Sequence, residues 1–236
     1  MKSLQKFGGI AALVCAGTFL LAIGLVATLL TPMLDGALTY DQFMAFYLPN
    51  QSLVFIWHFC MYLVNGTFLA GLVLALYQQL KTRAPDLSRV AACFGLFWTG
   101  LVFASGFITL YGWDVIGKLA STDPSQAETL RLVVNTISTG IDSSDRFLGC
   151  LWVLLTSWAA LGTRQLARPL NYFGIVISIA GIVSSTAPAL SALGLAFGVE
   201  MIVWWVWLGI VLLRSKPEQE SVEGRSLSRI VTSSPF

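Results

Sequence analysis

Six apolar stretches punctuate the 236-residue chain, at 7–30, 52–77, 90–113, 147–161, 170–187 and 193–213. Each meets or approaches the roughly 20 residues that a helix needs to cross a bilayer. The fourth is the shortest and borrows from the polar segment before it, so its helix is placed at about 145–161. Pro188 divides the fifth and sixth runs, leaving a tight turn at 189–192. The first run follows Lys2 and Lys6, as a signal peptide would, but it exceeds the roughly 7–15 apolar residues of a signal core. No small-residue cleavage pattern precedes Pro32. The pattern therefore predicts an all-α integral membrane bundle of six transmembrane helices in one domain, 1–213, followed by a disordered tail, 214–236, rich in Ser, Glu and Arg.

Composition narrows the solvent. Hydrophobic residues make up 56% of the chain and charged residues 11%, against roughly 25% charged in a soluble domain. Mean hydropathy is +0.76. Net charge is +2, with no basic stripe among exposed aromatics, so membrane lipids rather than nucleic acid are the expected surroundings. Six crossings put the N-terminus, 78–89, 162–169 and the C-terminal tail on one side, with Lys81, Arg83, Arg89, Arg164, Arg168 and Arg214 among its cations. Only Lys118, Arg131 and Arg146 fall on the other side, where Asp35, Asp41, Asp114, Asp123, Glu128, Asp142 and Asp145 gather. The excess of Lys and Arg predicts that both termini are cytoplasmic.

The two longer outer loops carry helix-start signals. Thr39-x-x-Gln42 reads as a capping box leading into Phe43, Phe46 and Tyr47, and Asp123-Pro124-x-Gln126 as an N-cap with Pro in the first turn. Ala127, Leu130, Val134, Ile137 and Ile141 then recur at spacings of three and four. This predicts short interfacial helices in both loops, the second being either separate or an outer extension of the fourth helix that breaks near Gly140. Phe7-Gly8, Phe94-Gly95 and Phe173-Gly174 open the three odd-numbered helices, a weak trace of three related hairpins that common membrane-helix composition also accounts for.

Against this background a few polar residues stand out. Glu200 lies about 10 Å inside the sixth helix at 1.5 Å per residue. A charge there costs roughly 2.5–3.5 kcal/mol on insertion scales, so a helix–helix clamp, a ligand or a proton role must offset it. His58, the only histidine, forms a stripe with Tyr62 and Asn65, and would meet Glu200 if the second and sixth helices were neighbours. A backbone acceptor for His58 and an interhelical bond for Asn65 are the plainer readings. Asp145 and Arg146, with Asp142, sit where the fourth helix reaches the outer surface, as N-cap residues with Ser143 and Ser144 or as the polar mouth of a cavity shared with Asp114. Gly66, Gly71, Gly100 and Gly106 are expected to allow close helix packing. Cys15, Cys60, Cys93 and Cys150 lie in separate apolar runs and read as small buried hydrophobes.

The negative readings are as informative. One histidine and scattered cysteines supply neither a metal nor a haem site, and no nucleophile-elbow or phosphate-loop motif occurs. No cofactor and no catalytic residue is assigned.

Certain runs resemble a group of uncharacterised bacterial six-helix membrane proteins classed by a domain of unknown function. They are Leu4-Gln5-Lys6-Phe7-Gly8-Gly9-Ile10-Ala11-Ala12, Gly149-Cys150-Leu151-Trp152-Val153-Leu154-Leu155, Ser157-Trp158-Ala159-Ala160-Leu161, Leu170-Asn171-Tyr172, and Ile202-Val203-Trp204-Trp205-Val206-Trp207-Leu208-Gly209-Ile210. Such proteins carry glycines and a carboxylate before the fourth helix; Ser143-Ser144-Asp145 keeps the carboxylate and lacks the glycines. The resemblance implies a six-helix fold in the bacterial cytoplasmic membrane and no activity.

The expected function is binding or transport of a small molecule or lipid in a polar pocket of the outer half. Glu200, His58, Asn65, Tyr62, Asp145 and Arg146 form that pocket, in a homo-oligomer or beside a membrane partner protein. A non-catalytic scaffold or accessory subunit is the alternative. A lipid-acting enzyme would need two or more carboxyl or imidazole groups within about 6 Å of one another, a geometry open to Glu200 with His58 but carried by no motif.

Overall fold

The apolar runs become helices whose length exceeds the runs themselves. The computed structural model describes residues 2–33, 38–163, 166–186 and 193–214, so the expectations for Asp35, Arg164, the 189–192 turn and the 215–236 tail lie outside the described residues. The elements are α1 (Lys2–Thr28), α2 (Tyr40–Tyr47), α3 (Gln51–His58), α4 (Asn65–Leu80), α5 (Pro85–Leu119), α6 (Pro124–Thr163), α7 (Arg168–Thr186) and α8 (Leu193–Arg214). One π-helical turn, Phe59–Val64, joins α3 to α4. Among the described residues no strand occurs, and five helical stretches are long and apolar enough to cross a membrane: Ser3–Thr28, Tyr40–Leu80, Pro85–Leu119, Pro124–Thr163 and Arg168–Thr186. The chain is a multi-pass membrane protein. At 22 residues, α8 is longer than the shortest of these stretches.

Each long helix packs against its neighbours in sequence, and α8 closes on α1, so α1, α4, α5, α6, α7 and α8 form a closed ring. Tryptophans fill the middle of that ring at the end rich in Lys and Arg. Trp98 of α5 lies 5.6 Å from Trp152 of α6 and 6.2 Å from Trp205 of α8, and Trp152 meets Trp204 edge-on at 5.7 Å. The aromatic-Gly pairs serve this packing. A Cβ at Gly8 would stand 2.5 Å from that of Ala75, one at Gly95 2.6 Å from Trp152, and one at Gly174 would strike Ser157 and Trp204. Gly71 and Gly106 are similarly crowded and Gly66 less so, with the Phe103 ring at 3.2 Å, whereas Gly100 has nothing within 4 Å and serves no close approach. Cys15 and Cys150 are buried, as expected, but Cys93 is exposed.

At the acidic end of the bundle a second core gathers Leu30, Phe43, Met44, Tyr47, Val54, Trp113, Ile116 and Val134. Both start signals act as expected. Thr39 and Gln42 form the capping box of α2, and Asp123 Oδ1 accepts from the Gln126 amide at 3.0 Å. The expectation of a break near Gly140 is wrong. α6 runs unbroken for 40 residues, about 60 Å at 1.5 Å per residue. Its apolar stripe packs along α5, where a Cβ at Gly112 would meet Val134 at 2.7 Å. Ser143 and Ser144 are not caps. Their hydroxyls donate back to the carbonyls of Thr139 and Gly140 at 2.9 and 3.0 Å, within the helix.

Candidate functional site

Counting about 20 residues, one hydrocarbon thickness, inward from the Lys/Arg-rich ends of three helices reaches Met61, Ala104 and Ser144. Tyr62 stands one residue short of the first, Ser105 one beyond the second and Asp142 two beyond the third. These three meet. Ser105 Oγ donates to Asp142 Oδ1 at 2.6 Å, and the Tyr62 hydroxyl faces Asp142 Oδ2 at 3.4 Å. Tyr62 comes from the π turn, a feature that frequently marks functional positions. Gly106 makes room for it, because a Cβ there would lie 2.5 Å from that of Tyr62.

Two cavities meet at this cluster, and Tyr62 and Asp142 line both. The inner chamber, about 190 Å³, adds Asn65, Asp145, Arg146, Phe19, Trp98 and Trp205 to its wall, with Met61, Val102, Gly198 and Met201. Its tryptophan floor is the stack that closes the ring toward the Lys/Arg-rich end. The outer chamber, about 350 Å³, is lined by His58, Thr109, Arg131, Asn135, Ser138 and Thr139, with apolar residues of the second core. Asn135 and Thr139 are exposed, so its wall reaches the protein surface.

The expected site residues separate into three groups. Tyr62, Asn65, Asp145 and Arg146 converge on the inner chamber. Asn65 is also a clamp to α1, its amide donating to Thr18 Oγ1 at 2.8 Å and to the Cys15 carbonyl at 3.3 Å. His58 lines the outer chamber, its Nδ1–H donating to the Val54 carbonyl at 2.8 Å and its ring stacking on Tyr62 at 6.0 Å. Glu200 lines neither chamber. Gly198, Met201 and Trp205 present one face of α8 to the inner chamber, while half-buried Glu200 lies off that face. The juxtaposition of His58 with Glu200 also fails in its premise, because α1 stands between the second and sixth membrane helices in the ring.

Two further expectations change. Asp142 and Asp145 are mid-helix residues of α6 rather than N-caps, and Asp114 pairs with Lys118 on the surface at 2.5 Å instead of sharing the cavity. Sequence reasoning left out Ser105, Trp98, Trp205 and Arg131. Ser105 and Thr109, four apart in an otherwise apolar run, were the available signal for a polar face on α5. Among the described residues no group of His, Cys, Asp and Glu is arranged to hold a metal ion.

A family model described as "Domain of unknown function (DUF4386)" matches residues 8–214, and the chain belongs to that family. No curated protein and no solved structure matches it.

Proposed function

For this DUF4386 membrane protein we propose binding of a small solute within the helix ring, as a binding or transport-type protein entered from the acidic end. The observation that carries the reading is the shared wall. A tyrosine–aspartate contact lies in the wall of both a surface-reaching polar chamber and an inner chamber floored by tryptophan. Ionisable residues within membrane helices usually face a cavity or the bundle interior and mark solute or ion pathways. At about 190 Å³ the inner chamber is smaller than the roughly 300–1,000 Å³ of drug-sized sites, which favours a small solute over a lipid. The excess of Lys and Arg at the opposite end supports a cytoplasmic position for that end, and with it chambers that open outward from a bacterial cytoplasmic membrane.

Native mass spectrometry of the purified protein tests this. A discrete bound solute is expected, lost in Asp145→Asn and retained in Asp86→Asn, whose carboxylate pairs with Arg89 at the far end. The same heterogeneous lipid on all three proteins would replace the reading with a non-catalytic scaffold or accessory subunit.

A further inference from the structure

We propose that the inner chamber takes a small zwitterion, a short molecule bearing an ammonium group and a carboxylate. The proposal rests on the preceding reading, that this chamber binds a solute. Asp142, Asp145 and Arg146 stand at spacings of three and four on one face of α6, so two carboxylates and one guanidinium address the same space. They do not neutralise one another at contact distance. Ion pairs among the described residues are Asp86–Arg89 and Asp114–Lys118, both exposed and both elsewhere. Asp142 is held by Ser105 and Tyr62, one donor to each oxygen, and each oxygen keeps capacity for another.

The rest of the wall extends this beyond an acidic cluster. Aromatic rings of Phe19, Tyr62, Trp98 and Trp205 line the same small space, Trp205 being fully buried behind it. Aromatic faces attract cations, more strongly when the site is desolvated, and the carboxylates add direct acceptors. A simple organic cation would leave the Arg146 guanidinium without an anionic ligand group beside it. A simple anion would meet two carboxylates of its own sign. A zwitterion answers both ends, its ammonium toward Asp145, Asp142 and the rings, and its carboxylate toward Arg146. The volume holds about six waters at ~30 Å³ each, which suits a molecule the size of a short amino acid or betaine.

Isothermal titration of the full-length protein in nanodiscs, with two matched sets of probes, tests the assignment. One set is β-alanine, propylammonium and butyrate; the other is glycine betaine, tetramethylammonium and tert-butylacetate. At least one zwitterion should bind tenfold or more tightly than both of its half-charged counterparts. Asp145→Asn and Arg146→Gln should each weaken it tenfold or more, with Arg146→Lys in between and thermal unfolding unchanged enough to show a folded protein. If a cation binds as tightly as its zwitterion and Arg146→Gln has no effect, the ligand class is overturned while the site stands. If every probe is silent, the solute released from the purified protein decides: a zwitterion supports the proposal, and any other class overturns it. Silence with no bound solute overturns the binding reading itself.

Discussion

The two ends of the ring solve the same packing problem in opposite ways. Toward the Lys/Arg-rich end, glycines bring backbones together and large side chains fill what remains; Trp152, Trp204, Leu69, Leu72 and Leu76 are almost entirely inaccessible. Toward the acidic end, the π turn and the polar residues of α5 and α6 hold helices apart around two chambers. The first arrangement is what stability alone would select, because close-packed interiors recover dispersion energy that cavities forfeit. Charged residues beside empty volume are costly to maintain. Those lining the chambers, Arg131, Asp142, Asp145 and Arg146, all come from α6, and the binding site is proposed beside them.

The largest expected effect belongs to the packed end. Trp152→Ala removes a side chain wedged among Trp98, Trp204 and Gly95, and should cost about 3–5 kcal/mol in reversible denaturation in detergent. A loss below about 1 kcal/mol, the range of a surface substitution, would mean that this end is not the tight one. Next come two glycines on α5. Gly106→Ala should destabilise by about 1–3 kcal/mol by forcing Tyr62 aside. Gly100→Ala meets only open space and should be neutral or gain up to about 1 kcal/mol of helix propensity. Equal effects in thermal unfolding would erase the distinction between them. Smallest is Tyr62→Phe, which removes one long hydrogen bond to Asp142 and should cost about 0.5–1.5 kcal/mol or less. It should nevertheless speed solute exchange between the chambers, seen as a faster off-rate; an unchanged off-rate would deny the contact any gating role.

How much of this was legible in the sequence depended on the kind of signal. Apolar runs and cap chemistry are local, and the Thr39/Gln42 and Asp123/Gln126 starts appear where their residue types put them. The continuity of α6 was hidden because Gly140, Ser143 and Ser144 are weak helix formers. A glycine penalty near 1 kcal/mol is outweighed by packing along α5, which the sequence does not display. The π turn leaves no compositional trace, since it shifts hydrogen-bond partners rather than residue types. Glu200 drew attention because a lone charge in a long apolar run is conspicuous, yet the direction of its side chain is set by ring order, with α1 between α4 and α8. Asp142 and Asp145 looked like solvated cap residues for the opposite reason: they adjoin a polar stretch, and only the full length of α6 carries them into the bundle wall.

The central claim, two chambers joined through Tyr62 and Asp142, is tested most directly by thiol accessibility. In a cysteine-free background in sealed vesicles, Ser138→Cys marks the outer chamber and Met61→Cys the inner one. A small membrane-impermeant thiol reagent supplied from the acidic side should modify Ser138→Cys quickly and Met61→Cys slowly. Adding Tyr62→Ala should accelerate only the second. If Met61→Cys stays unreactive with and without Tyr62→Ala, or reacts as fast as Ser138→Cys from the start, the chambers are not connected through this contact and the account fails.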